Sequence, residues 1–118
     1  MYILPWESDD IKEAKENYNT YNKMMNKIER KLSVIAGKLE DIENSIDKEK
    51  QSMFSYDDAA EGKFKIIYDG MCGRHSDRLR IIYEHFSEAY DVLAAKCEEC
   101  EEECSYWNRR IEELDSET

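Results

Sequence analysis

From residue 11 the apolar and aromatic side chains fall at Ile11, Ala14, Tyr18, Tyr21, Met25, Ile28, Leu32, Ile35, Leu39, Ile42 and Ile46, with steps alternating between three and four. That alternation is the seam of a heptad repeat, and Lys, Glu, Asn and Asp fill the positions between. The spacing predicts a first helix over about residues 10–50. Asp10 followed by Glu13 reads as its capping box, and Trp6 ahead of it as a residue that could fold back on the first turn. A second stripe reads Leu79, Ile82, Phe86, Ala89, Leu93, Cys97, Cys100, Cys104, Trp107, Ile111 and Leu114. It predicts a helix over about 76–115, and its extra step of four between Leu93 and Cys97 reads as a stutter.

Between the stripes the charge pattern lapses. The main turn is expected at about 51–56, with a second cap at Ser55 and Asp58. A short helix carrying Phe64, Ile67 and Tyr68 is expected over about 57–71, and a joint over 72–75, where Gly70 and Gly73 sit close together. Whether that short helix extends the second arm or forms a separate joint stays open, because glycine lowers helix propensity by about 1 kcal/mol without forbidding a helix. Two arms of matched length favour a single domain, residues 1–118, folded as an all-α, elongated, coiled-coil-like antiparallel hairpin. Two helices bury only one narrow seam, and Met24, Val34, Ile81, Tyr83, Tyr90, Val92 and Tyr106 lie beside it. These residues are the expected contacts for another helical surface, either a protein partner or a second copy.

Composition changes this picture less than it first suggests. Leu, Ile, Val and Phe together supply only 22 of 118 residues, just under the fifth at which a highly charged chain is suspected of disorder. Their placement on two stripes argues instead for a thin, high-surface hairpin, with Cys, Ala, Met and Tyr filling the remaining seam positions. The 28 acidic against 17 basic residues give a net charge of −11. Such a field repels phosphate, so direct nucleic-acid binding is not expected. No apolar run is long enough for membrane insertion, and the Met1–Asp10 start lacks the basic and apolar regions of a signal peptide, which points to the cytoplasm.

Little in the sequence points to catalysis. The two histidines, His75 and His85, form no nucleophile pairing that spacing supports, and there is no phosphate-cradling glycine loop or zinc-protease motif. The chain therefore reads as non-enzymatic and without a cofactor. Cys97-Glu-Glu-Cys100-Glu-Glu-Glu-Cys104 invites a metal assignment, with Cys72 as a fourth thiol. On a helix, however, Cys97 and Cys104 stand about 10.5 Å apart, whereas thiolates on one tetrahedral zinc lie within about 4 Å of each other. A single ion could take two neighbouring cysteines only if another element supplied further ligands. Neighbours on one helix turn are also too far apart for a disulfide. Small buried hydrophobes are the expected role of these cysteines. The Glu98–Glu103 run, with Glu112, Glu113, Asp115 and Glu117 beyond it, is read as a solvated helix face, with imitation of a phosphate backbone as the alternative.

An acidic chain of this length, with two matched amphipathic helices and a central turn, resembles the small helical-hairpin proteins of the bacterial type VII secretion system. In particular it is similar to the accessory proteins encoded beside LXG toxins. The resemblance is architectural. The turn signature Trp-x-Gly is absent, with Glu61-Gly62 and Asp69-Gly70 standing without a tryptophan, and Phe86-Ser-Glu-Ala-Tyr90-Asp91 stands one residue from the Phe-x-x-x-Asp spacing of one accessory group. The resemblance implies pairing with the helical N-terminal region of a toxin, a targeting role, and export without a signal peptide. Two other readings stay open: an acidic inhibitor or nucleic-acid mimic of phage type, and a coiled-coil subunit of another assembly.

Overall fold

The computed structural model describes residues 1–59 and 62–117, with the side chains of 52–59, 63–66 and 68 left aside. The chain is all-α, a two-helix hairpin by connectivity: α1 spans Asp9–Ala59 and α2 spans Lys63–Ser116. The turn expected at 51–56 lies inside α1, and the joint expected at 72–75 lies inside α2. Gly70 and Gly73 are accommodated as helical residues, in keeping with the modest cost of glycine in a helix. The connection falls at Gly62 instead, whose φ of 77° lies in the left-handed region that glycine adopts without a Cβ penalty. Phe64, Tyr68 and the Ser55–Asp58 cap lie outside the described side chains.

Helix α1 begins earlier than the capping box at Asp10 implied. The Ser8 hydroxyl accepts a hydrogen bond from the Ile11 backbone N–H at 3.3 Å, and the Ser8 carbonyl accepts one from Lys12 N–H at 3.0 Å. Ser8 is therefore the cap. Asp9 and Asp10 occupy the first turn, where carboxylates complement the helix dipole. Trp6 does not fold back as a staple; it is 78% exposed. Polar contacts hold the leading segment instead. Lys15 Nζ donates to the Tyr2 carbonyl at 3.0 Å and pairs with the Glu7 carboxylate, Lys12 Nζ donates to the Pro5 carbonyl, and Asn19 Nδ2 donates to the Met1 carbonyl.

The chain divides into two compact units, one formed by Met1–Leu32 with Asp91–Thr118 and the other by Ser33–Tyr90. In the first, Ile11 and Ala14 of α1 form a buried cluster with Ile111 and Leu114 of α2, with Tyr18 and Trp107 packed against it. A second cluster joins Ile28 to Cys97 and Cys100, flanked by Tyr21, Met25, Leu32 and Leu93. Both pair the start of α1 with the end of α2, which makes the unit antiparallel. In the other unit the cross-helix hydrogen bonds run from Tyr83 to Glu43 and from Ser76 to Glu49, again antiparallel.

Burial follows the first stripe without exception: each of its eleven positions is buried or half-buried. On α2 the phase differs from the sequence reading. Ile82 is 44% exposed and Ala89 is exposed, while Tyr83 and Tyr90 are half-buried. The inward positions are Cys72, Ser76, Leu79, Tyr83, Phe86, Tyr90, Leu93, Cys97, Cys100, Cys104, Trp107, Ile111 and Leu114, with steps of four and three throughout. The stutter disappears. It arose from choosing Ile82 and Ala89 over the tyrosines that follow each of them.

Candidate functional site

Among the residues expected to meet a partner, the structure separates two groups. Met24, Val34, Ile81, Val92 and Tyr106 are exposed, between 45% and 63%. Tyr83 and Tyr90 instead hold seam positions, and the Tyr83 hydroxyl donates to Glu43 Oε1 at 2.9 Å. That bond and the adjacent carboxylate charge keep the Tyr83 phenol above its ordinary pKa of 10.0. Ile67, Met71 and Ile82 are further exposed apolar residues, although the periodicity places Ile82 on the seam.

In the Ser33–Tyr90 unit the heptad seam is partly polar. Glu49 continues the α1 stripe one step past Ile46, and its carboxylate accepts from the Ser76 hydroxyl at 3.0 Å and sits 2.6 Å from His75 Nδ1. Asp69, one step before Cys72 on α2, has a buried Oδ1 with no hydrogen-bond partner among the described residues. Sequence periodicity could have flagged both, since each falls on the extension of an apolar stripe, but a search confined to apolar residues passes over a Glu or an Asp. His85 is exposed.

All four cysteines are free and buried. Cys97 and Cys100 belong to the cluster around Ile28, as the small-hydrophobe reading expected. Burial raises the pKa of Cys97, with Glu101 and Glu29 adding to the effect, and burial likewise raises that of Cys104, with Cys100 and Glu101 contributing. Thiols held in this direction are poor nucleophiles at neutral pH. Cys97 has a further neighbourhood: its Sγ and one carboxylate oxygen each from Glu29 and Glu101 lie within 4.8 Å of one another. Cys72, Cys100 and Cys104 join no such group of three among the described residues.

The concave surfaces described in the first unit are open grooves with charged walls. One is lined by Tyr106, Arg109, Arg110 and Glu113, and another by Glu98, Glu101, Glu102, Ser105 and Arg109. The Tyr106 and Trp107 rings meet edge to face at 4.9 Å, and the Trp107 indole nitrogen is buried with no hydrogen-bond partner among the described residues. No described helix is long and apolar enough to cross a membrane. Comparison with family models, with curated proteins and with solved structures gives no match.

Proposed function

We propose that this chain is a non-enzymatic helical module whose function is to bind another protein through the outer faces of its helices. One observation carries the reading. In the Ser33–Tyr90 unit, Cys72 is the one buried residue among those described, while Val34, Ile67, Met71, Ile81 and Ile82 are all between 44% and 63% exposed. Large apolar side chains left uncovered in this way fit a surface that gains cover from a further helix. The elevated thiol pKa values and the open, charged grooves also favour binding over catalysis.

The partner chemistry that suits these faces is an amphipathic helix, and the resemblance described above makes the helical N-terminal region of an LXG-type toxin the leading occupant. The chain would then serve as that toxin's accessory in type VII export. A second reading is supported by Glu98, Glu99, Glu101 and Glu102, four exposed carboxylates on α2 that an acidic inhibitor could present to a basic nucleic-acid enzyme. Affinity capture of the full chain from its native host tests both. A toxin-like helical partner retained at about 1 M salt, and lost on Ile81→Asp or Val34→Asp with helicity unchanged, is the expected result. A basic nuclease or polymerase released by salt selects the second reading. A monodisperse monomer that captures nothing overturns both.

A further inference from the structure

The geometry points to a binding site for a thiophilic divalent cation, zinc above all, at Glu29, Cys97 and Glu101, bridging α1 and α2 within the first unit. The argument starts from what one helix cannot do. Cys97 and Glu101 are four residues apart, so α2 offers two donors on one face and needs a third from elsewhere. Helix α1 supplies it in Glu29, and the three donor atoms already lie within 4.8 Å of one another. Zinc bonds of about 2.0–2.3 Å place tetrahedral donors roughly 3.5 Å apart. The remaining approach of about 1 Å is within reach of small χ rotations of the two glutamates, both of which are exposed.

The surroundings of the sulfur supply an independent indication. Cys97 is 8% exposed, its thiol has no hydrogen-bond partner among the described residues, and it points into the group that the two carboxylates complete. Cys97 belongs to the buried cluster with Ile28 and Cys100, which Met25, Leu32 and Leu93 flank, while Glu29 and Glu101 are exposed. Neither Glu29 nor Glu101 is ion-paired to a lysine or arginine among the described residues. Burial first, and then the charge of the two carboxylates, raises the Cys97 pKa, and a divalent cation would convert the carboxylate repulsion into attraction.

Donor chemistry selects the metal. A sulfur donor with two carboxylates disfavours calcium and magnesium, which require oxygen shells of six or more, and suits zinc, which accepts sulfur and oxygen together. Three protein donors leave the fourth tetrahedral position to water. Binding replaces the S–H bond of Cys97 with a Zn–S bond and releases one proton to solvent, with no change of oxidation state. Because donors come from both helices, the bound ion would tie α1 to α2 beside the Ile28 cluster.

The test uses the full-length chain, reduced and freed of metal with a chelator, titrated with Co²⁺ as a spectroscopic stand-in and then with Zn²⁺. The expected result is a thiolate-to-cobalt charge-transfer band that saturates at one equivalent and is displaced by zinc. Cys97→Ser should abolish the band. Glu29→Gln and Glu101→Gln, both at exposed positions, should each weaken binding by about tenfold or more while circular dichroism stays unchanged. Cys104→Ser should leave the titration as it was. Absence of binding overturns the site, as does a band that survives Cys97→Ser or an affinity indifferent to Glu29→Gln. The glutamate variants keep the test decisive should Cys97→Ser fail to fold.

Discussion

The two units share one repeat and fill it differently. Of the nine apolar or cysteine residues that are buried among those described, eight belong to the Met1–Leu32 and Asp91–Thr118 unit and one, Cys72, to the Ser33–Tyr90 unit. In the first unit the seam holds Ile, Ala, Cys, Leu and aromatic side chains, packed into two clusters. In the second it includes Glu49, Ser76 and a tyrosine whose hydroxyl is bonded to glutamate, with Asp69 on the same stripe. A heptad seam that runs through both units therefore does not set how much each contact is worth. That depends on the apolar area each pair removes from water, about 25 cal/mol per Å². The same contrast bears on function, since a unit whose described residues include one buried side chain and the exposed Ile67, Ile81 and Ile82 has most to gain from a partner.

The largest expected effect tests the contrast directly. Ile111→Ala should destabilise by about 3 kcal/mol, because it opens a cavity in a packed cluster. Ile42→Ala, at a half-buried seam position of the second unit, should cost about half as much or less. Urea denaturation of the two variants measures the difference, and equal losses would mean that the second unit packs as tightly as the first. Next in size is the reverse experiment. Glu49→Leu with Ser76→Leu should raise stability by about 1–2 kcal/mol by replacing a polar pair with an apolar one, and hydrogen exchange should slow in that unit specifically.

Gly73→Ala should add up to about 1 kcal/mol, since a Cβ there meets nothing within 4 Å and the residue sits inside a helix. Gly62→Ala should do the opposite because of its positive φ. Thermal melts of both separate a helix glycine from a turn glycine. The smallest expected effect is alkaline. The folded chain holds the Tyr83 proton more firmly than the unfolded chain, so the Glu43 bond stabilises fully below pH 10 and its contribution fades as pH rises past that value. Tyr83→Phe should flatten that part of the stability profile, read by denaturation at pH 9 to 11; an unchanged slope would remove the bond from the account.

Much of the fold was legible because helical periodicity is written into single residues. All eleven seam positions of α1 were readable, and the burial of Cys97, Cys100 and Cys104 followed from their spacing. What was not legible involved neighbours competing for the same place. Ile81, Ile82 and Tyr83 are consecutive, and a shift of one residue turns a side chain by about 100°. Hydrophobicity favoured Ile82 over Tyr83, yet Tyr83 can lay its ring across the seam and deliver its hydroxyl to Glu43. The expected turn failed similarly, because local composition around residues 51–56 loosened the pattern without breaking the helix.

The sequence by itself determined that this protein is two long amphipathic helices with their apolar stripes turned inward, because a 3.6-residue turn leaves no other face able to bury them. Only the tertiary structure decided the phase of the α2 seam, the Ser8 cap, the polar stretch at Glu49 and Ser76, and the meeting of Glu29 with Cys97 and Glu101. The reason is physical. Periodicity is a property of one helix, whereas register and cross-helix neighbours are properties of a pair, fixed by which side chains can share the space between them.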